Sequence, residues 1–255
     1  MDWLYPLSGL IVGLIVGLTG VGGGSLMTPL LVLLFGISPA VAVGTDLLYA
    51  AVTKAGGSFV HARKKHVDWR TVSLLAAGSV PASLLTTFGL HLLNTDTAHT
   101  AALIKVTLGI ALILTAIAIV FRNRITRFSR ENGWIKPHQV APATIIVGVI
   151  LGVLVTISSV GAGALGVAAL FFLYPKASPV RIVGTDIAHA VPLTMVAGLG
   201  HAGLGTVDYA LLGSLLIGSL PGIWIGSHLS ARISERWLRS ALAGILVLVG
   251  GRLVF

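Results

Sequence analysis

Polar and apolar positions along this chain do not alternate; they come in blocks. Apolar stretches cover residues 6–35, 40–60, 70–92, 101–121, 140–174, 179–200, 207–229 and 237–254, with short polar loops between them. About 20 apolar residues cross the ~30 Å hydrocarbon core of a bilayer as a helix. Most of the stretches match that length, but the first and fifth exceed it. As single helices of roughly 30 and 35 residues they would extend about 45–50 Å at ~1.5 Å per residue. Each carries small residues near its middle, Gly20 to Ser25 in one and Ser158 to Ala164 in the other. Glycine costs about 1 kcal/mol per residue in a helix interior, so such a cluster favours a break. The pattern predicts two half-length helices meeting at a mid-membrane turn in each long stretch. Non-helical backbone at that depth must be buried in protein or line a cavity. Continuous rather than alternating apolar runs exclude a strand barrel.

The two long stretches belong to a repeat. Leu18-Thr19-Gly20-Val21-Gly22-Gly23-Gly24-Ser25-Leu26 recurs as Ile157-Ser158-Ser159-Val160-Gly161-Ala162-Gly163-Ala164-Leu165. After a one-residue slip, Ser38-Pro39 recurs as Ser178-Pro179 and Gly44-Thr45-Asp46 as Gly184-Thr185-Asp186. His61-Ala62 matches His201-Ala202, Val67-Asp68-Trp69 matches Val207-Asp208-Tyr209, and Gly78-Ser79-Val80-Pro81 matches Gly218-Ser219-Leu220-Pro221. Doubled apolar units with glycine-interrupted segments are a common plan of secondary transporters. The halves are 1–121 and 140–255, joined by a basic linker, 122–139, read as a cytoplasmic connector. Together they form one integral membrane domain.

Composition agrees with a membrane protein: only 10% of residues are charged, against about a quarter in soluble domains. The start, Met1-Asp2-Trp3, lacks the basic segment of a cleavable signal. With no cysteine there is no disulfide, thiolate metal site or redox couple. The net charge of +9 would suggest nucleic acid in a soluble protein. Here the basic residues sit in loops between apolar runs, where they orient the chain, and no nucleic-acid partner is expected.

Those charges discriminate between topologies. Eight full spans in two parallel four-helix repeats would leave Lys176, Arg181, Arg232, Arg236 and Arg239 outside. If the long stretches are instead re-entrant hairpins, the second half inverts. Arg252 is then the lone external basic residue, and Lys54 and Lys105 fall within spans. The positive-inside rule favours the second arrangement. The expected fold is thus an all-α polytopic membrane protein of two inverted repeats. Each repeat has a glycine-broken re-entrant hairpin and three transmembrane helices.

Candidate chemistry follows from depth. A half-helix starting near Ser25 offers free backbone N–H groups and the positive end of its dipole, which suits an anion. Gly20, Gly22, Gly23 and Gly24 would let a ligand approach the backbone closely. The second turn adds the hydroxyls of Ser158 and Ser159 beside Gly161 and Gly163. No Lys follows the glycines as in a nucleotide loop. The bland alternative is that the glycines only permit tight helix packing. Thr45 and Thr185 complete the expected substrate-binding set.

Asp46 and Asp186 each lie seven residues beyond a Ser-Pro helix start, about 10 Å into the helix. An ionisable group within a span is by default a functional hypothesis. Desolvated carboxylates there could carry protons; alternatively they cap the free amides of a neighbouring half-helix. Tyr49 and His189 follow three residues on, on the same helix face. Lys54 lies eight residues after Asp46 and has Thr194 as its counterpart. It either serves the anion path or snorkels to the cytoplasmic surface. His61 and His201 fall at helix ends, where solvated loop histidines are expected. Nothing resembles a metal site or a catalytic constellation, so no cofactor and no enzyme activity are expected.

The Gly20-Val21-Gly22-Gly23-Gly24 turn, the following Pro29, and the Ser-Pro and Gly-Thr-Asp runs with their second-half echoes resemble the sulfite exporter TauE/SafE family. The resemblance covers about residues 6–255. The second turn departs from a glycine run, with Ala162 and Ala164 interposed. The resemblance implies transport of small sulfur-containing anions, such as sulfite or organosulfonates, across the bacterial cytoplasmic (inner) membrane. The partners are then the anion and the lipid bilayer, with a homo-oligomer allowed. The alternatives are a proton- or sodium-coupled importer of another small anion or amino acid, and an anion channel. A membrane-embedded enzyme or scaffold would need a catalytic cluster or a soluble domain, and the chain has neither.

Overall fold

A computed structural model describes residues 3–19, 24–93, 98–132, 136–229 and 235–254. Among these residues all regular structure is α-helix. In chain order the helices are α1 (Leu4–Thr19), α2 (Gly24–Leu33), α3 (Pro39–Arg63), α4 (Trp69–Leu93) and α5 (Ala98–Asn132). They continue with α6 (Pro137–Ser158), α7 (Ala164–Leu173), α8 (Pro179–Gly203), α9 (Tyr209–Leu229) and α10 (Glu235–Val254). Each apolar block became one helix, except the first and fifth, which are each divided at the small-residue cluster.

The divided pairs are not half and half. The helices α1 and α2 have 16 and 10 residues, and α6 and α7 have 22 and 10. The expectation of equal arms is therefore corrected. Between α6 and α7 the break follows Gly161 and Gly163, which sit C-terminal of the midpoint of the apolar run. The helix α5 also outruns its apolar block, continuing to Asn132 through most of the basic linker. Arg is a good helix former, so the end of hydrophobicity does not end the helix.

Among the described residues five stretches are long and apolar enough to cross a membrane: Trp69–Leu93, Ala98–Arg122, His138–Ser158, Pro179–Gly203 and Tyr209–Gly226. The 25-residue α3 has the length of α8 but carries Asp46, Lys54 and His61 along its course. Both Ser-Pro pairs do start helices. Ser178 accepts from the Arg181 amide at 3.4 Å, whereas the Ser38 side chain makes no capping bond.

Two seams hold backbones close. Along α1 and α9, Gly9 lies on Leu215, Gly13 on Ser219, Gly218 on Pro6 and Gly222 on Leu10. Along α4 and α6, Gly148 lies on Leu75, Gly152 on Ser79 and Gly78 on Ile145. A Cβ at these positions would strike the facing main chain, the use of small residues expected where lipid supplies no hydrophobic drive between helices. Residue numbers rise together along both seams, so each pair is parallel.

The central pair, α3 and α8, runs the other way. Gly44, near the start of α3, packs on Thr206 just after α8, and Gly184, near the start of α8, packs on His66 just after α3. Gly198 meets Leu48 between them. The buried side chains Val43, Leu47, Leu151, Val155, Leu193 and Ala197 form the core that joins α3 and α8 to α6. The loops after α3 and α8 share one backbone motif. His66 and Thr206 donate to the carbonyls of His61 and His201, with Lys65 and Gly205 left-handed at φ 56° and 73°.

Candidate functional site

The break between α6 and α7 is fully described and sits against α3. Ser159 ends α6 in the left-handed conformation, and Gly161 and Gly163 follow at φ 123° and 137°. Glycine alone adopts such values without strain. The Ser158 hydroxyl is used locally: it donates to Leu154 O at 2.6 Å and accepts from the Val160 amide. The Ser159 hydroxyl is buried with no hydrogen-bond partner. The first backbone bonds into α7 run from Gly166 to Gly161 and from Val167 to Gly163. The amides of residues 161–165 thus have no partner among the described residues, as expected of a helix start.

Lys54 reaches into this break from α3. Its Nζ donates to the carbonyl oxygen of Ala162 at 2.7 Å, and the residue is 7% exposed. The snorkelling expectation is overturned. The side chain has a carbonyl to bond inside the protein, freed by the broken helix, and so has no need to reach water. Its repeat counterpart, Thr194, bonds back to Ala190 O on its own helix.

The two carboxylates have unlike surroundings. Asp46, fully buried, accepts from the Thr28 hydroxyl of α2. Ser159 lies nearby, but Ser159 Oγ and Asp46 Oδ1 both remain without a hydrogen-bond partner. Asp186 is 1% exposed, and neither of its oxygens has a hydrogen-bond partner. Its Oδ1 lies against Gly166 in the first turn of α7, in the space a Cβ there would take. The amide-capping alternative therefore does not describe Asp186. Lys54 is in electrostatic reach of both carboxylates.

Tyr49 and His189 occupy matched places. His189 Nε2 is 2.8 Å from Ser79 Oγ of α4, while the Tyr49 hydroxyl, near Ser219 of α9, is buried without a hydrogen-bond partner. Both rings are buried.

Thr45 and Thr185 are brought to another place. Thr45 Oγ1 accepts from the Asp208 amide at 3.0 Å, and Thr185 Oγ1 from the Asp68 amide at 2.9 Å. Each clips α3 or α8 to the loop that follows the other. The expected solvated histidine at 201 is also corrected. His201 is fully buried, with Nδ1 2.8 Å from Thr206 Oγ1 and Nε2 2.9 Å from Thr156 O. Helix α8 ends against the α6 backbone instead of in water.

Of the first turn, Gly24 opens α2 and Ser25 is its second residue, while Gly20, Gly22 and Gly23 lie outside the described residues. Sequence reasoning missed Thr28, Ser79, Ser219 and Gly166. The two serines stand in the repeated Gly-Ser-x-Pro run, a signal read only as repetition. For Thr28 and Gly166 no signal existed, because their importance comes from the helix opposite.

The model of the family described as sulfite exporter TauE/SafE matches residues 5–253. The chain is 46% identical over 251 residues to the probable membrane transporter protein YjnA of Bacillus subtilis, covering 97% of this chain and 98% of that one. It is 29% identical over 250 residues to the probable membrane transporter protein YdhB of the same organism, covering 93% and 96%. A probable membrane transporter protein of Methanocaldococcus jannaschii is 29% identical over 264 residues, covering 97% and 93%. No solved structure gives a significant match. The chain belongs to the TauE/SafE family; it is a multi-pass membrane transporter and not an enzyme.

Proposed function

We propose that this TauE/SafE transporter carries a small anion, sulfite or an organosulfonate, out across the bacterial cytoplasmic membrane. The observation that carries the reading is the buried Lys54 ammonium at the α6–α7 break. It stands beside free amides and the unpartnered Ser159 hydroxyl. A cation, a hydroxyl and a helix start converging on one point suit an oxyanion. The glycine turn that precedes α2 is the expected second half of the cradle. The family description supports sulfite and export.

The packing directions support inverted repeats, 1–121 and 140–255, joined by 122–139. The repeat-related α3 and α8 run antiparallel. Because α6 is parallel to α4, it starts on the face where α3 ends and α8 begins, and α7 leads back to that face. The pair α1 and α2 has the same relation to the opposite face through α9. Both broken pairs then enter and leave on one side.

A second reading, an ion-coupled importer of another small anion or amino acid, is favoured by the two buried carboxylates. Reconstituted protein loaded with a panel of sulfite, thiosulfate, sulfate, sulfonates and carboxylates tests both. Saturable exchange of sulfite or a sulfonate is expected. Exchange confined to carboxylates or amino acids would favour the importer, and unsaturable flux a channel.

A further inference from the structure

We infer that Asp186 alone, and not its repeat partner Asp46, is the carboxyl that takes up a proton when the anion binds at Lys54. The inference rests on the transporter reading above and assigns unequal work to two positions that the repeat makes equivalent.

The inequality lies in the helices that face them. Asp46 meets α2, whose Thr28 donates a hydroxyl hydrogen bond to it. Asp186 meets α7, Ala-Leu-Gly-Val-Ala-Ala-Leu-Phe-Phe-Leu, which has no side chain able to donate. The nearest group there is the bare backbone of Gly166, whose amide is already bonded to Gly161 O. A hydrogen-bond donor supports the ionised form of a carboxylate. Asp46 has that support, and both oxygens of Asp186 lack it.

What remains for Asp186 is one charge, Lys54. The other elements packed on α8 add none nearby. The helix α7 has no titratable residue. Those of α4 and α6, namely Arg70, His91 and His138, lie at the helix ends. From α3 come Lys54 and, near its end, His61, whose Nδ1 lies against Gly184; Asp46 and Tyr49 sit toward the opposite end of this antiparallel pair. His189 follows on α8 itself and is engaged by Ser79. Lys54 gives one of its three N–H donors to Ala162. Its single positive charge cannot compensate both an anion and an ionised Asp186. When an anion takes Lys54, burial without a counter-charge favours the neutral carboxyl, so Asp186 binds one proton. When the proton leaves, the carboxylate reclaims Lys54 and expels the anion. Linkage is reciprocal, so the anion must raise proton affinity by the factor by which the proton raises anion affinity. The balance is one proton per anion: H⁺ adds to a carboxylate oxygen from water on one face and returns to water on the other.

The test is pH-difference infrared spectroscopy of the purified full chain, following the C=O band of a protonated carboxyl. Methanesulfonate is the probe, because its own charge is constant across the titration. The expected result is a band that persists to higher pH with methanesulfonate, vanishes in Asp186→Asn and survives in Asp46→Asn. Thr28→Val should add a second titrating carboxyl, and this variant also decides the matter if Asp186→Asn does not fold. Disappearance in Asp46→Asn instead overturns the inference, as does a band indifferent to methanesulfonate that the wild-type protein measurably binds; either leaves the transporter reading intact. Wild-type protein that binds neither sulfite nor methanesulfonate overturns both.

Discussion

Lys54 Nζ and the carbonyl oxygen of Ala162, 108 positions apart in the chain, stand 2.7 Å from one another. A cation from the first repeat thereby closes the helix break of the second. The counterpart of Lys54 in the second repeat is a threonine bonded within its own helix. The site is therefore polar in one direction although the scaffold is doubled.

Lys54→Gln keeps a donor for Ala162 but removes the charge. Affinity for sulfite or methanesulfonate should fall at least tenfold, about 1.4 kcal/mol, by calorimetric titration of purified protein. Unchanged affinity would remove Lys54 from the anion site.

Gly218→Ala places a Cβ on the Pro6 carbonyl in the α1–α9 seam. Overpacking of this kind costs about 1–3 kcal/mol and should lower the melting temperature in detergent. Gly213→Ala, on the same helix with nothing nearby, should be neutral or gain up to about 1 kcal/mol from helix propensity. Equal effects would mean that the seam is not close-packed.

Thr45→Val and Thr185→Val each leave a loop amide, that of Asp208 or Asp68, without its acceptor. A loss of about 1–3 kcal/mol is expected, read as a lower melting temperature, with anion affinity of the folded protein retained. A selective loss of affinity would restore the two threonines to the binding site.

Trp69 and Tyr209 are matched residues at the starts of α4 and α9, 59% and 65% exposed. The antiparallel α3–α8 pair puts them at opposite ends of the helices, which the proposed inverted repeats make opposite faces of the membrane. Because the chain has no native cysteine, single cysteines at the two positions can be probed in intact cells with an impermeant thiol reagent. Tyr209→Cys should react and Trp69→Cys should be protected. Reaction at both would point to parallel repeats.

Much of the architecture was legible in the sequence because hydrophobic block length is a local property. The blocks at 40–60, 70–92, 179–200 and 207–229 became α3, α4, α8 and α9 within a few residues at either end. The breaks were legible for the same reason: glycine clusters weaken a helix wherever they occur. The uneven arms of the divided pairs were less so, since block length does not say where within a block the chain turns.

The sequence by itself determined that the chain is helical and membrane-embedded, that its motifs recur in two halves, and that Asp46, Asp186 and Lys54 lie within helices. These conclusions need only spacing along one helix and the cost of charge in lipid. The tertiary structure decided what each of those residues meets. Thr45 and Asp46 are neighbours in sequence, yet one binds the loop after α8 and the other the hydroxyl of Thr28. Asp46 and Asp186 are equivalents in the repeat, yet only one finds a hydrogen-bond donor. A buried polar group is defined by its partner, and partners here come from loops more than a hundred residues away or from the neighbouring short helix. Local pattern carries no information about which side chain a facing helix will bring.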